Sequence, residues 1–410
     1  MSTISGLGTT YNLPNYTGEL LRLTPAETPL LSMSGTLNEE GEITESTVFE
    51  WQTESLAATV EQPNILEGAN PNYQAYVRAN VSNVVQIFQR GFQLSYSKIA
   101  ARQRLAGIAQ LGSGVVSIGA RNPVTDEVAQ QTSAHLADIA RQIEHTFLRG
   151  VFNNPSDNTT ARRSRGIITA IVEDGQTLFS HWGDPASITA TASNDQVTWT
   201  GHGLAVDDVV VFTALTGGAP LATDTPYYVH TVVDANNFTL AETPGGAQID
   251  ITSNATAGTA RRGLALTKKV VLDAVQKVYD LTGINQTAEP TIFVGATMKR
   301  ALTKLFITDA NYREQSREVG GVNLTVLETD FGRINIALNR FMRPHEVLFC
   351  HVGLVSPVYL LIPEKGFLFL EELAKTGAAS NYQVYGEIGL KYGHPRYHAY
   401  IRYASPVAGA

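Results

Sequence analysis

Helical periodicity stops near Asp184 and does not return until TKKVVLDAVQKVYDLTG, residues 267–283. Between the two lie six short runs in which β-branched and aromatic residues recur: SITAT, QVTWT, DVVVFT, PYYVHTVV, NFTLA and AQIDIT. The segments GHG, TGGAP, DANN and PGG that separate them are turn formers, because glycine takes positive φ at no steric cost and proline and asparagine pre-set turn geometry. A chain that breaks off a helical pattern, completes an all-β block and then resumes is not one layered domain read from end to end. The pattern predicts a small all-β domain inserted at residues 184–262. Strand alternation puts Val209, Val211, Tyr228, Val232, Phe238 and Leu240 in its core and makes it a self-folding graft.

The block contains His202, Asp207 and Asp208, residue types that carry chemistry elsewhere. Adjacent side chains on a strand point to opposite faces, so Asp207 and Asp208 cannot chelate one ion from their own backbone. Calcium needs six or more oxygens, and few are near in sequence. Gly201 and Gly203 flank His202, which therefore reads as a turn residue. Trp199, Tyr227 and Tyr228 would suit stacking on a sugar, but alternation assigns them to the domain core.

Ahead of the insert, residues 1–45 lack periodicity and contain Pro14, Pro25 and Pro29, which reads as an extended N-terminal arm. STVFEWQT and RANVSNVVQIFQRGFQLSY follow as two extended strands joined by a long polar loop, a β-ribbon over residues 46–96. Such a ribbon is barely stable alone and requires a surface to lie on. SKIAARQRLAGIA is helical in pattern, and the glycines at 112, 114 and 119 match neither phosphate-loop spacing. NPVTDEVAQQTSAHLADIARQIEHTFLRGVF is a long helix over 122–150, with Asn122 as N-cap, Pro123 at its first position and Gly150 as its stop. Val124, Val128, Leu136, Ile139, Ile143 and Phe147 form one apolar stripe on it. GIITAI reads as an apolar strand. After the insert, helices and strands alternate over 263–362 and a Tyr-rich β segment fills 363–410, which makes the chain α+β.

Charge is segregated along the chain. Residues 1–77 hold ten Glu, no Asp, no Lys and Arg22 as the single base, and residues 184–260 hold eight carboxylates and no Lys or Arg. Residues 78–165 carry eleven bases against five acids. Blocks of opposite sign suggest surfaces that meet, within or between subunits. A net charge of -8 opposes tight nucleic-acid binding, which depends on Lys and Arg neutralising phosphates. The single cysteine, Cys350, lies in the apolar run VLFCHV and excludes disulfides within the chain. No apolar run is long enough to span a bilayer, and the amino terminus has no signal-peptide h-region. The sequence contains no G-x-S-x-G elbow, H-E-x-x-H helix, Walker motif, C-x-x-C pair or EF-hand loop. His394 and His398 are four apart on an expected strand, where that spacing does not repeat a metal-binding helix face. The expectation is a protein with no catalytic residues, cofactor or metal.

The order of arm, ribbon, long helix, RRSRGIITAI, α/β segment and β-rich return resembles the major head proteins of tailed bacteriophages with the HK97-like fold. The block GHGLAVDDVVVFTALTGGAPLATDTPYYVHTVVDANNFTLAETPGGA separately resembles a small β-domain of phage virion proteins. The resemblance implies a peripheral domain over 97–183 containing the spine helix, an axial domain over 263–362, and a return to the peripheral domain over 363–410. It implies a homo-oligomeric shell of hexameric and pentameric capsomers around double-stranded DNA, located in the virion, assembled in the host cytoplasm, with no membrane and no sequence-specific DNA contact. A separate scaffolding protein, a portal and a decoration protein are the implied partners. Arm and ribbon would embrace neighbouring subunits, so Glu39, Glu40, Glu42, Glu45, Glu54, Glu61 and Glu67, set against Arg162, Arg163 and Arg165, are the candidate intersubunit contacts. The first lysine of the chain is Lys98, after the ribbon, so a ribbon lysine for covalent cross-linking is missing. The insert, being acidic, is expected on the outer face, away from phosphate. The competing expectation is a virion-surface or tail adhesin whose β-domain binds host glycan or protein.

Overall fold

In a computed structural model of the chain, the described residues are 27–35, 42–54, 66–68, 70, 75–96, 108–111, 114–117, 127–283, 289–307, 317–318, 321–322, 325–375 and 377–405. The expected Asn122 cap, residues 97–107 of the SKIAARQRLAGIA segment and most of the N-terminal arm lie outside them; the last two residues of that segment, Ile108 and Ala109, open the strand Ile108–Leu111 instead of continuing a helix.

The spine helix runs over Glu127–Arg149, with an acid in its first turn and a base in its last, the arrangement its dipole favours. Ile139, Ile143, Phe147 and Leu148 are fully buried along one face. Gly150 ends it where the chain leaves no room for a side chain: a Cβ there would sit 2.2 Å from Ser164 O and 2.7 Å from Thr146 O. Gly166 returns across the same point, its N–H donating to Gly150 O at 2.9 Å. The glycine in RRSRGII is thus set by a backbone crossing. Gly166→Ala would place a Cβ 2.6 Å from Gly150 N. We expect this variant to lose more than about 3 kcal/mol of stability, the upper range of overpacking costs, measurable as a drop in the urea midpoint; an unchanged midpoint would refute the crowding argument.

GIITAI is not a strand. Ile167–Asp174 forms a helix closed by Gly175 in the left-handed region at φ 68. Ile167, Ile168, Ala170 and Ile171 are all buried, and a short run whose apolar residues are nearly continuous shows no period to distinguish strand from helix. A glycine just past its end, which closes a helix easily, was the available signal.

Two sheets carry the body. One has six strands in the order Val326–Thr329, Gly332–Leu338, Pro290–Val294, Val347–His351, Ala399–Arg402 and Leu178–Ser180. Helices Lys268–Thr282 and Ala296–Ile307 pack on it through Val271, Val278, Met298 and Phe306. Thr267 caps the first of these helices by accepting the Val270 N–H, and Gly283 ends it at φ 69. The other sheet is built on the 13-residue strand Ala379–Lys391, flanked by Gln86–Ser95 and Leu368–Leu373. Ser356–Leu360 pairs with its last residues, and Glu42–Thr44 lies parallel beyond that strand. The spine helix packs on this second sheet, and Phe88, Val384, Ile388 and Leu390 share its core.

The insert is a closed six-stranded barrel. Its strands follow the order Val209–Gly217, Pro226–Val232, Asn237–Ala241, Gln196–Thr198, Ala186–Thr191 and Ala255–Arg262, which pairs back to the first. Closure removes the exposed edges a small sheet would otherwise present. Two expectations need correction. AQIDIT is not the sixth strand; Ala255–Arg262 is, although it is poor in β-branched residues. Its Gly258 sits where a Cβ would meet Ile188 Cδ1 at 2.7 Å and Leu215 Cδ2 at 2.9 Å, so close strand contact selected the glycine. The phase of Val209–Gly217 is also reversed. Val210, Phe212, Tyr227 and Val229 fill the barrel with Phe238 and Leu240, whereas Val209, Val211 and Tyr228 belong to a separate cluster with Tyr403. Val232 is partly exposed at its strand end. All four residues of VVVF are buried, and a strand covered on both faces does not reveal which residues face inward.

Candidate assembly interface

The N-terminal segment is pinned to its own chain at two places. Helix Pro29–Met33 has no side-chain cap of its own. Its first free N–H groups, on Leu30 and Leu31, donate instead to Glu144 Oε1 and Oε2 of the spine helix at 2.9 and 2.8 Å. Asn339 Nδ2 donates to the same carboxylate at 2.5 Å. Leu30 and Leu31 are buried beneath the contact. Burial pushes the Glu144 carboxyl above its ordinary range, and the hydrogen bonds from Leu31, Leu30 and Asn339 partly offset that rise. Further on, Glu42 meets Lys391 Nζ at 2.5 Å and accepts from Ser356 Oγ at 3.4 Å. The arm is therefore not free along its whole length.

The ribbon pairs Val48–Glu54 with Arg78–Val84, from Val48 opposite Val84 at the base to Glu54 opposite Arg78 near the tip. Its base is anchored by Trp51, whose Nε1 donates to Gly393 O at 2.6 Å and whose ring meets Tyr392 edge-on. Phe49 lies against Gly389, where a Cβ would come within 2.5 Å of its ring. Toward the tip the ribbon leaves this support, and Leu66 and Val77 are 83% and 82% exposed. Among the described residues, these apolar side chains and the neighbouring Glu54 and Glu67 are surface that one subunit leaves exposed.

Beside the ribbon's continuation, a groove runs between Gln86–Ser95 and the spine helix, with a volume of about 510 Å³ at its larger end. Arg90, Arg141 and His145 line that end with Gln86, Gln142 and Asp138. Arg90 and Asp138 also line a second hollow with His135 and Gln383. His135 to His145 spans ten residues, roughly 15 Å at 1.5 Å per helical residue. Burial, then the charges of Arg149 and Arg343, lower the His145 pKa, which keeps that ring neutral.

Glu39, Glu40 and Glu61 lie outside the described residues. Glu45, Glu54 and Glu67 are exposed on the ribbon side, while Glu42 is held by Lys391 as above. Arg162 pairs with Glu387 at 2.9 Å. Arg165 lies 3.1 Å from Glu173 and stacks over Phe152 at 4.4 Å, so both arginines brace their turn from inside. Arg163 is exposed between them. Among the described residues, no acidic candidate pairs with a basic candidate within one subunit.

No metal-binding or catalytic arrangement emerges from the remaining candidates. His202 Nδ1 accepts the Leu204 N–H at 2.9 Å, Asp207 accepts from Gly245 N at 2.9 Å, and Asp208 accepts from Ala205 N at 2.8 Å. His202 and Asp208 close local turns, and Asp207 ties its turn to the one at Gly245. Trp199, Tyr227 and Tyr228 are buried and present no open face to a sugar. His398 is buried between the His351 N–H, which it accepts, and Tyr392 O, with its pKa lowered to about 4 chiefly by burial. Burial pushes the Cys350 thiol far above its ordinary range. Among the described residues no group of three or more His, Cys, Asp or Glu could hold a metal ion, and no helix is long and apolar enough to cross a membrane. Sequence reasoning missed Glu144 and Asn339; the available signal was an acid on the flank of an apolar helical stripe.

The family model of the SU10 major capsid protein matches residues 3–405. Among solved structures, the cyanophage A-1(L) capsid is similar at a TM-score of 0.52 and 10% identity, covering 97% of this chain and 98% of that one. The capsid of a native GTA particle is similar at a TM-score of 0.49 and 11% identity, with 99% of each chain covered. No curated protein matches the sequence.

Proposed function

The chain belongs to the SU10 major capsid protein family, and on that footing we propose how its surfaces divide the work of shell assembly. It is a structural capsid protein of HK97-like fold, found in the virion and built into a multimeric shell. The observation that carries the finer reading is the ribbon: its base is fixed by Trp51, and among the described residues toward its end Leu66, Glu67 and Val77 are exposed. A neighbouring subunit covers that end. The ribbon end, with Glu54, Glu61 and Glu67, lies over basic surface of the neighbour that includes exposed Arg163 and the Arg90–Arg141 groove, while Glu39, Glu40 and Glu45 extend the acidic side toward the arm. Each contact is weak, but every subunit makes several, and avidity holds the shell.

In this reading capsomers are hexameric and pentameric, and assembly in the host cytoplasm uses a separate scaffolding protein and a portal. The barrel carries eight carboxylates over residues 184–260, and Arg261 and Arg262 at the end of its last strand leave it strongly net acidic. Beside packaged DNA it would set like charge against phosphate within the roughly 10 Å that salt leaves unscreened at 0.1 M. It therefore stands on the outer face, available to a neighbouring capsomer or a decoration protein. Electron microscopy of purified recombinant protein is expected to show shells, tubes or capsomers. Dispersed monomers would overturn the assembly reading, and density for the barrel on the inner surface of filled particles would overturn its placement.

The ribbon lacks lysine, so the shell is held non-covalently. Particles boiled in detergent are expected to run as monomers on a denaturing gel. A ladder of oligomers would show that a later lysine such as Lys365 or Lys391 forms bonds between subunits.

A further inference from the structure

The two chain passages at the root of the barrel are stitched to each other and to the body. Gly183 N–H donates to Arg262 O at 2.8 Å and Leu264 N–H to His181 O at 3.1 Å, while His181 N–H donates to Arg402 O and Ser405 N–H to Leu264 O at 2.9 and 2.7 Å. The root is thus an extension of the six-stranded sheet rather than a tether. Gly263 fits there because a Cβ would come within 2.3 Å of Tyr403 O.

Above the root, the barrel wall closes on the body through Val209, Val211, Tyr228 and Tyr403, with Trp182 at the margin. Tyr403 takes φ 65, a left-handed conformation that a bulky residue holds only when its surroundings over-determine it. Those surroundings are visible. Its ring stacks on Trp182 at 5.0 Å and 11°, and faces His345 at 6.2 Å and 17°. Its hydroxyl donates to Asp224 O of the barrel at 3.0 Å.

A buried polar chain then leads inward. Tyr228 Oη and His345 Nδ1 are 2.6 Å apart, and His345 Nε2 lies 3.4 Å from Glu346 Oε1. Glu346 binds Arg149, the last residue of the spine helix, through both carboxylate oxygens, and accepts the Arg343 N–H at 3.2 Å. Arg149 Nε also donates to Phe341 O at 3.3 Å. Every member from Tyr228 to Glu346 is buried, so a shift of the barrel relative to the helix end must break a hydrogen bond without water to replace it.

We propose that the barrel and the C-terminal end of the spine helix form one mechanical unit, joined through Tyr228, His345, Glu346 and Arg149 and locked by Tyr403, so that a partner gripping the barrel loads the spine helix directly. This coupling is reciprocal by thermodynamic necessity, and reciprocity is its test. Hydrogen exchange is followed by mass spectrometry on the full-length protein in Tyr228→Phe, altered on the barrel side, and in Arg149→Lys, altered on the helix side. Tyr228→Phe is expected to speed exchange at residues 143–149 about tenfold, and Arg149→Lys to do the same at 227–229, while helix Lys268–Thr282 keeps its protection. Effects confined to the altered side would overturn the proposal, as would equal acceleration in the Lys268–Thr282 helix, which would mark general destabilisation.

Discussion

Arg149→Met is expected to reverse the sign of the pH dependence that Glu346 contributes to stability, as well as to lower stability itself. Burial pushes the Glu346 carboxyl up, but its hydrogen bond from His345 and the charge of Arg149 outweigh burial and hold it well below the carboxylate range. With the folded value below the unfolded one, the unfolded chain binds more protons between the two, so stability from this group is present above the ordinary value of 4.5 and is lost as pH falls below it. Removing the arginine leaves a buried carboxylate that lacks its guanidinium partner, which costs about 3–5 kcal/mol. The carboxyl would then rise above its unfolded value, and this group's contribution would weaken with increasing pH. Urea midpoints of both proteins at several pH values between 4 and 8 test this. Parallel pH profiles would show that the ion pair does not govern Glu346.

Glu144→Gln is expected to release the N-terminal segment while leaving the body folded. The carboxylate accepts from Leu30, Leu31 and Asn339 together. A glutamine has one acceptor oxygen and turns an N–H₂ toward the remaining donors, so at least one backbone N–H is stranded in a buried site. Hydrogen bonds to a charged acceptor contribute about 1.5–3 kcal/mol each, so a loss on the order of 3 kcal/mol in docking the segment follows. Exchange at the Leu30 and Leu31 amides should then rise about a hundredfold, with residues 290–294 unchanged. Because burial raises the Glu144 pKa, the folded chain binds more protons than the unfolded one above 4.5, and this group's contribution falls as pH rises through the folded value. Its trend therefore opposes that of Glu346. Protected amides at Leu30 and Leu31 in the variant would mean that the buried leucines alone hold the segment.

Much of the architecture was legible because it rests on local pattern. The spine helix shows a 3.6-residue apolar stripe, the insert shows turn chemistry at regular spacing, and the ribbon shows strand residues separated by a polar loop. Two of the places where the reading failed share one physical cause. In GIITAI all four apolar side chains and in VVVF every side chain are buried, so the contrast between wet and dry faces, on which period and phase depend, is weak or absent. Ala255–Arg262 failed differently: its strand character comes from pairing with Val209–Gly217 and Ala186–Thr191, not from its own residues.

The assembly surface divides along the same line. Sequence alone determined that the chain has a segregated charge pattern, a ribbon needing external support and no recognisable catalytic motif, because these follow from residue type and order. Tertiary structure decided which charges remain available: Glu42, Arg162 and Arg165 meet partners up to 349 residues away, whereas Arg163 stays exposed. It also decided that the barrel is joined to the body through Tyr228, His345 and Tyr403, which are separated by more than a hundred residues of chain between barrel and body. Burial and hydrogen bonding between distant segments depend on how the whole chain closes, and no local window of sequence contains that information.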